Sequence, residues 1–356
     1  MPANEETRKA RYHLFEQSRQ SQKAIIIYLN GDLMRRLSAF GLCLLLCVNA
    51  VPIQAETSSE AYCVMAEDGR VLMGENLHQT QSVASISKIM TAVVALEHGL
   101  LEEELEAGEE IKLAVGSSIY LKQGEKMSLQ DLLYGLMLRS GNDAAMVIAC
   151  ELAGDVETFV GWMNDQADEL GMADSLFRNP SGLDEEDGGN LSSPYDMALL
   201  MRHAMTLPLF RAIVSCETYR NAKGQVWVNK NRLLEDYAYT TGGKTGYTKQ
   251  AGRTLVSSAE KEGLEVFAVT FRMGDDFAFH AQCYDEVFAN YDDVLILRPG
   301  SYVIDGKRYL VDEELRLCLK QGETYQAEEF LEDGQYCIET VVNDEVRRYA
   351  YAQEGT

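Results

Sequence analysis

The feature that most constrains this chain is a hydrophobic period that changes twice along its length. From Ala61 the texture is strand-like: Tyr62-Cys-Val-Met65, then Asp68-Gly69, then Val71-Leu-Met73. Asp-Gly between two apolar runs signals a hairpin. The apolar residues then recur at helical spacing over 89–100, 129–138, 143–152, 159–170 and 193–205. Ser128 reads as an N-cap, Gly99 lies near the end of the first helix, and Ser193 ahead of Pro194 fits a helix start. Beyond Lys244 strand texture returns over 253–259 and 264–271, around a four-residue loop Glu260-Lys-Glu-Gly263. A helix over 278–291 follows, with Phe279, Cys283, Val287 and Phe288 on one face. Strands at both ends and helices between them predict one sheet that the two ends complete together.

The 356 residues suit one large domain and one small one. Pro299-Gly300 marks the boundary between a main domain over 56–298 and a short, acidic, Gly-punctuated β-rich module over 299–356. Residues 34–55 combine Met-Arg-Arg, an apolar run and Pro-Ile-Gln-Ala55, the pattern of a signal peptide. Its apolar run over 37–51 is short of the roughly 20 residues a spanning helix needs. Ile53 at the −3 position keeps an uncleaved anchor open as the alternative. The polar stretch 1–33 suits no signal peptide, which points to Met34 as the start of translation.

A formal net charge of −24 argues against nucleic acid or an anionic bilayer as partner and suits a soluble exported protein. Of eight cysteines, Cys43 and Cys47 fall in the apolar run. Cys63, Cys150, Cys216, Cys283, Cys318 and Cys337 show no C-x-x-C spacing, so no metal site and no cofactor are expected. Export permits disulfides, but a chain this long does not require them, and free buried thiols fit equally well.

Three short motifs stand in order: Ser85-Ile-Ser-Lys88, Ser140-Gly-Asn142 and Lys244-Thr-Gly246, separated by 55 and 104 residues. Ser85 and Lys88 lie one turn apart at a helix start, where burial and the helix dipole disfavour an ammonium. A neutral Lys88 is a base for the Ser85 hydroxyl. Ser140 can relay a proton to a leaving amine, and Asn142 can orient Lys88 or the substrate backbone. Lys244 and Thr245 can hold a free carboxylate, while Gly246 admits a substrate backbone. Each motif alone has an ordinary reading: a helix-start serine with a solvated lysine, a helix-linking turn, an edge-strand lysine. Ser-x-x-Lys even recurs at Ser258 to Lys261. Their joint occurrence is what carries chemistry.

With its surroundings the set resembles the low-molecular-weight penicillin-binding proteins, the serine D-alanyl-D-alanine carboxypeptidases. The likeness spans about residues 60–295. It includes Ala84-Ser-Ile-Ser-Lys-Ile-Met-Thr-Ala92, Leu136-Met-Leu-Arg-Ser-Gly-Asn-Asp-Ala-Ala145, Asn179-Pro-Ser-Gly-Leu183, Tyr195-Asp-Met-Ala198, Asn229-Lys-Asn-Arg-Leu-Leu234 and Lys244-Thr-Gly-Tyr-Thr-Lys-Gln-Ala-Gly-Arg253. The resemblance implies an α/β (α+β) fold of the serine β-lactamase and DD-peptidase type: an antiparallel sheet flanked by helices, with an all-helical subdomain and, here, the C-terminal β-rich module. It implies acyl transfer from a peptidoglycan stem peptide to Ser85, with Lys88, Ser140 and Asn142 catalytic and Lys244, Thr245 and Gly246 binding substrate. The backbone N–H groups of Ser85 and Tyr247 form the implied oxyanion hole. β-Lactams become covalent inhibitors, and the site of action is the extracytoplasmic face of a bacterial envelope, with the protein secreted or loosely membrane-associated.

There are departures. Ser181 replaces the histidine of many relatives' Asn-Pro-His-Gly, with no catalytic consequence expected. The C-terminal end lacks the family's amphipathic membrane helix. A class A β-lactamase would share the three motifs but needs a Glu-x-x-Leu-Asn segment, which this sequence lacks; Glu169 is the nearest candidate. DD-endopeptidase action and a non-catalytic cell-wall peptide or penicillin sensor remain the other readings.

Overall fold

Pairing of the two ends of the main domain is seen directly in the computed structural model, which describes residues 60–184 and 189–353. The expected extension over 1–33 and signal peptide over 34–55 lie outside the described residues. β1 (Ala61–Ala66) and β2 (Val71–Glu75) form the first hairpin. β9 (Thr240–Thr248), β10 (Gly252–Lys261) and β11 (Leu264–Phe271) form the second group. β1 runs antiparallel to β11 with Ala61 opposite Phe271, giving the order β2-β1-β11-β10-β9. The β10–β11 ladder continues to Lys261 opposite Leu264. Only Glu262 and Gly263 remain as the turn, with φ of 54° and 94°, rather than the four residues expected. Positive φ at both positions matches the twist of the flanking strands, and this keeps the polar Glu260 and Lys261 inside the ladder.

The sheet buries both faces. Cys63, Met65, Val256, Phe267 and Val269 pack towards the main helical core. Val64, Ala66, Ala259, Val266 and Ala268 meet Cys283, Tyr284 and Val287 of the last helix. Such alternation is what a two-sided strand requires. On the first face lies α1 (Lys88–His98), buried from Lys88 to Ala95. Around it stand α2 (Leu129–Leu138), α3 (Asn142–Ala153), α4 (Val156–Glu169), α5 (Pro194–Thr206) and α6 (Pro208–Val214). Ser128 caps α2 by accepting from Asp131 N at 3.1 Å, and Ser193 caps α5 from Asp196 N at 3.2 Å. A short α7 (Leu233–Asp236) precedes β9, and α8 (Asp276–Asn290) covers the second face.

Small ladders join β3 (Gln81–Ser82) to β6 (Leu191–Ser192), β4 (Glu104–Glu106) to β5 (Lys126–Ser128), and β7 (Thr218–Arg220) to β8 (Val226–Val228). At the C-terminal end β12 (Tyr291–Leu297) pairs with β15 (Leu315–Lys320), and β13 (Gly300–Ile304) pairs with β14 (Lys307–Val311). β16 (Tyr325–Glu332), β17 (Gln335–Val342) and β18 (Glu345–Tyr351) make a third sheet. The C-terminal strand assembly therefore draws on a strand ahead of Pro299. Tyr291 opens β12 because helix α8 ends one residue before it. The six cysteines from Cys63 onward are free thiols. Among the described residues no single helix is long and apolar enough to cross a membrane.

Candidate active site

Ser85 lies in a 3-10 turn, Ala84–Ser87, that feeds directly into α1. Ala84 has φ of 53°, a left-handed conformation that costs a non-glycine residue of order 1 kcal/mol. Packing opposite enforces it. Gly182, itself at φ +77°, presses on the Ala84 carbonyl so closely that a Cβ there would collide with it. The turn leaves Ser85 half-buried, with Lys88 wholly buried behind it.

Lys88 Nζ lies 3.2 Å from Ser85 Oγ and 2.7 Å from Asn142 Oδ1, and also donates to the Ser181 carbonyl oxygen. All three partners are uncharged, and the last two can only accept. Burial, then the nearby Lys244 and Lys230 ammonium groups, hold the Lys88 pKa well below the ordinary lysine value, against a smaller opposing pull from Asp143. Asn142 opens α3; its backbone N–H donates to Ser117 O at 2.8 Å and its side-chain amide donates to Val115 O. The neighbouring Asp143 carboxylate accepts from Ile119 N and Leu121 N, each at 3.0 Å. These bonds seat the 115–121 segment beside the cleft.

Ser140 takes φ of 60° in the α2–α3 link and is 4% exposed. Lys244 Nζ, from edge strand β9, donates to Ser140 Oγ at 3.1 Å and to Thr245 O at 2.7 Å. Burial, then Lys230, lower the Lys244 pKa to about 7. Lys230 itself reaches Ser117 Oγ at 3.2 Å. Gly246 packs against the amide end of the nucleophile turn: a Cβ on it would lie 3.0 Å from Ser85 N and 3.2 Å from Ile86 N. Tyr247, the next residue, is 67% exposed.

The structure thus brings Ser85, Lys88 and Asn142 into one hydrogen-bonded cluster and Ser140 and Lys244 into a second. Gly246 adjoins the nucleophile turn, with Thr245 and Tyr247 on either side of it. The decoy pair Ser258 and Lys261 falls on strand β10, where residues three apart point to opposite faces. Ser258 is buried and accepts from Thr241 Oγ1 at 2.7 Å, whereas Lys261 lies over the Tyr239 ring. Glu169 is exposed at the end of α4. Sequence reasoning misses the Ser181 carbonyl, because a backbone acceptor leaves no trace in residue type. It also gives Lys230 no role, although the residue stands inside the quoted Asn229-Lys-Asn segment. Asn179 shapes that carbonyl's turn, its Oδ1 accepting from Gly182 N at 2.7 Å.

With this geometry in place, comparison with known proteins is consistent along most of the chain. The family model described as D-alanyl-D-alanine carboxypeptidase matches residues 48–275. The chain is 33% identical over 290 residues to D-alanyl-D-alanine carboxypeptidase DacF of Bacillus subtilis, covering 76% of this chain and 74% of that protein. Among solved structures it is similar to the D-alanyl-D-alanine carboxypeptidase of Mycobacterium tuberculosis, with a TM-score of 0.61 and 31% identity over 64% of this chain and 90% of that one. It is also similar to penicillin binding protein 6B of Escherichia coli, with a TM-score of 0.65 and 28% identity over 82% and 93% of the two chains. The expected fold, an antiparallel sheet flanked by helices with a C-terminal β-rich region, is the fold found. Motifs, sheet order and matched length agree: the chain belongs to the D-alanyl-D-alanine carboxypeptidase family.

Proposed function

We propose that the protein is a serine-type D-Ala-D-Ala carboxypeptidase acting on peptidoglycan stem peptides. The observation that carries this reading is the set of partners around Lys88. A neutral amine has two N–H donors and one lone pair. Asn142 Oδ1 and the Ser181 carbonyl oxygen engage the two donors, which turns the lone pair towards Ser85 Oγ, 3.2 Å away. Lys88 then takes the hydroxyl proton as Ser85 Oγ attacks the carbonyl of the penultimate D-alanine.

The N–H groups of Ser85 and Tyr247 receive the oxyanion, with Gly246 leaving room for the substrate backbone. Lys244 and the Thr245 hydroxyl hold the terminal carboxylate. Ser140, hydrogen-bonded to Lys244, relays the proton that Lys88 took on to the leaving D-alanine amine, so Ser140 keeps its hydroxyl and Lys88 is neutral again. Water then attacks the acyl ester, with Lys88 again as base, and Ser85 regains its proton. β-Lactams enter the same path and remain on Ser85. In this reading residues 56–298 carry the reaction, the following strands are an appended module, and the segment over 34–55 directs export to the extracytoplasmic face.

A β-lactamase reading is less well supported, since Glu169 sits on the solvent side of α4 and no Glu-x-x-Leu-Asn is present. Fluorescent penicillin should label the protein, and Ser85→Ala should abolish labelling and D-alanine release from a pentapeptide together. Labelling that persists in Ser85→Ala would move the nucleophile elsewhere. After a penicillin pulse the intact-mass adduct should persist far longer than the peptide acyl-enzyme, because the bulky bound drug obstructs the water's approach and so forfeits general-base assistance worth about 10²–10⁴ in rate. An adduct lost within seconds as penicilloate accumulates would favour the β-lactamase.

A further inference from the structure

Three separate segments of the active site meet at one carboxylate oxygen. Asp184 Oδ1 accepts from Ser82 Oγ at 3.1 Å and from Thr248 Oγ1 at 3.0 Å. Thr248 Oγ1 also accepts from Ala251 N at 2.9 Å, closing the turn after β9. Each participant stands next to a reacting group. Ser82 lies three residues before the nucleophile, and Thr248 directly follows Tyr247. Asp184 itself lies three residues beyond Ser181, whose carbonyl takes a Lys88 proton. The donors are 102 and 64 residues from Asp184 in sequence, so no local backbone geometry could hold them in this arrangement.

The nucleophile turn has other ties. Thr254 Oγ1 donates to Val83 O at 3.0 Å, and Arg272 Nε donates to Gln81 Oε1 at 2.9 Å. Those bonds fix the turn against β10 and the end of β11. Arg272 also donates to Gln250 O, and the end of β9 stays paired with β10, Tyr247 opposite Arg253 and Thr248 opposite Gly252. The Asp184 contact adds a direct side-chain tie between the nucleophile segment and Thr248 at the end of this edge strand. We propose that Asp184 is a positioning residue for acyl transfer: by holding Ser82 and Thr248 on one oxygen, it tightens the gap between the Ser85 and Tyr247 amides that receive the oxyanion, beyond what the Arg272 bridge and the β9–β10 ladder hold. The proposal rests on the reading of Ser85 as nucleophile. An oxyanion hole acts only when both donors lie about 2.7–3.1 Å from the developing charge, and loss of one donor costs about 10²–10³ in rate. Loosening the pair should cost less.

Asp184 is half-buried and accepts from neutral hydroxyls, so its removal leaves no buried charge unpaired. The test is pre-steady-state penicillin acylation of the full chain, with melting temperature followed in parallel. Asp184→Ala should lower the acylation rate constant about tenfold, with the dissociation constant of the noncovalent complex changed less than about twofold. Asp184→Asn keeps a carbonyl oxygen able to accept both hydroxyls and should recover most of the lost rate. Ser82→Ala combined with Asp184→Ala should lose no more than Asp184→Ala alone. Wild-type acylation in Asp184→Ala overturns the proposal. So does a loss that tracks melting temperature without rescue by Asn, or losses that add in the double variant. If the wild-type chain itself is not acylated at Ser85, the functional reading falls and the clamp falls with it. A wild type that acylates normally beside an unimpaired Asp184→Ala removes the clamp alone.

Discussion

Two lysines taken out of water, Lys88 at 0% and Lys244 at 1% exposure, need opposite protonation states for the proposed reaction. Lys88 must be neutral to take the Ser85 proton, and Lys244 must be cationic to hold a carboxylate. Burial depresses both, so the difference has to come from what surrounds each of them. Lys88 is lowered further by Lys244 itself, and its pKa falls well below the ordinary value; Lys244 stays near about 7. The rate constant kcat/KM should therefore rise with pH as Lys88 loses its proton. It should fall again above about pH 7 as free Lys244 loses its charge. A bound carboxylate favours the Lys244 ammonium, so the alkaline limb of kcat should lie above that of kcat/KM. Lys230 lowers both lysines. Lys230→Ala should move both limbs to higher pH, as read from D-alanine release across the pH range. A profile whose limbs stay fixed in Lys230→Ala would remove Lys230 from the electrostatics of the site.

At the scale of elements, α8 is joined to β10 by a buried polar cluster behind the site. Ser257 Oγ lies 2.6 Å from both His280 Nδ1 and Tyr284 OH, and Thr270 Oγ1 lies 3.0 Å from His280 Nε2. Burial lowers the His280 pKa from 6.5 to about 3, so the folded protein keeps the ring neutral while the unfolded chain protonates it. The stability this contributes is complete above about pH 6.5 and is lost as pH falls towards about 3. The sequence is expected to be about 2 kcal/mol less stable at pH 5 than at pH 7 from this residue alone. Denaturant melts of wild type and His280→Gln at both pH values would show it: the variant should be less stable at pH 7 but lose less on acidification. Equal acid losses in the two proteins would mean that the histidine is not the titrating group.

Legibility differs along these same elements. Helix α2 is found with the limits its sequence predicts, because Ser128 and an uninterrupted apolar pattern state both its start and its face. The three motifs are legible for a similar reason, since their chemistry resides in side chains. What the sequence does not carry is imposed by distant packing. The left-handed Ala84 depends on Gly182 pressing against it. The Ser181 carbonyl and the Asp184 bridge join segments that periodicity cannot bring together. Tyr291, read as the last residue of a helix, instead opens β12, because its pairing partner is Lys320 in β15, out of reach of any local pattern.

For the whole molecule, the question is what holds the C-terminal strands to the main sheet. The tie is made at the β1–β2 turn. Arg70 forms a two-pronged ion pair with Glu323, its Nη1 and Nη2 lying 2.5 and 2.6 Å from the two carboxylate oxygens, and also donates to Cys318 O at 2.9 Å. Asp68 Oδ2 accepts from Cys318 N at 3.0 Å, and Arg347 Nη1 donates to Asp68 O at 2.8 Å. Paired forks of this kind are geometrically specific and stronger than single surface contacts. The Arg70 side chain is 17% exposed and that of Glu323 8%, so water screens the pair only in part. The Arg70 hydrogen bonds hold the Glu323 carboxyl down to about 2. Their contribution is whole above the ordinary carboxylate range and fades as pH falls towards that value.

None of these residues reaches Ser85, so docking and chemistry should separate. Arg70→Ala should destabilise the C-terminal strands by about 1–3 kcal/mol and speed proteolytic cutting in the β12–β15 region. Penicillin labelling at Ser85 should continue at the wild-type rate, because Thr254 ties the nucleophile turn to β10, away from the β1–β2 turn that carries Arg70. Limited proteolysis followed by mass analysis, run beside a labelling time course, reads both at once. Unchanged cleavage in Arg70→Ala would show that other contacts hold the module. A matching fall in labelling would show instead that the β1–β2 turn transmits its order through the sheet to the active site.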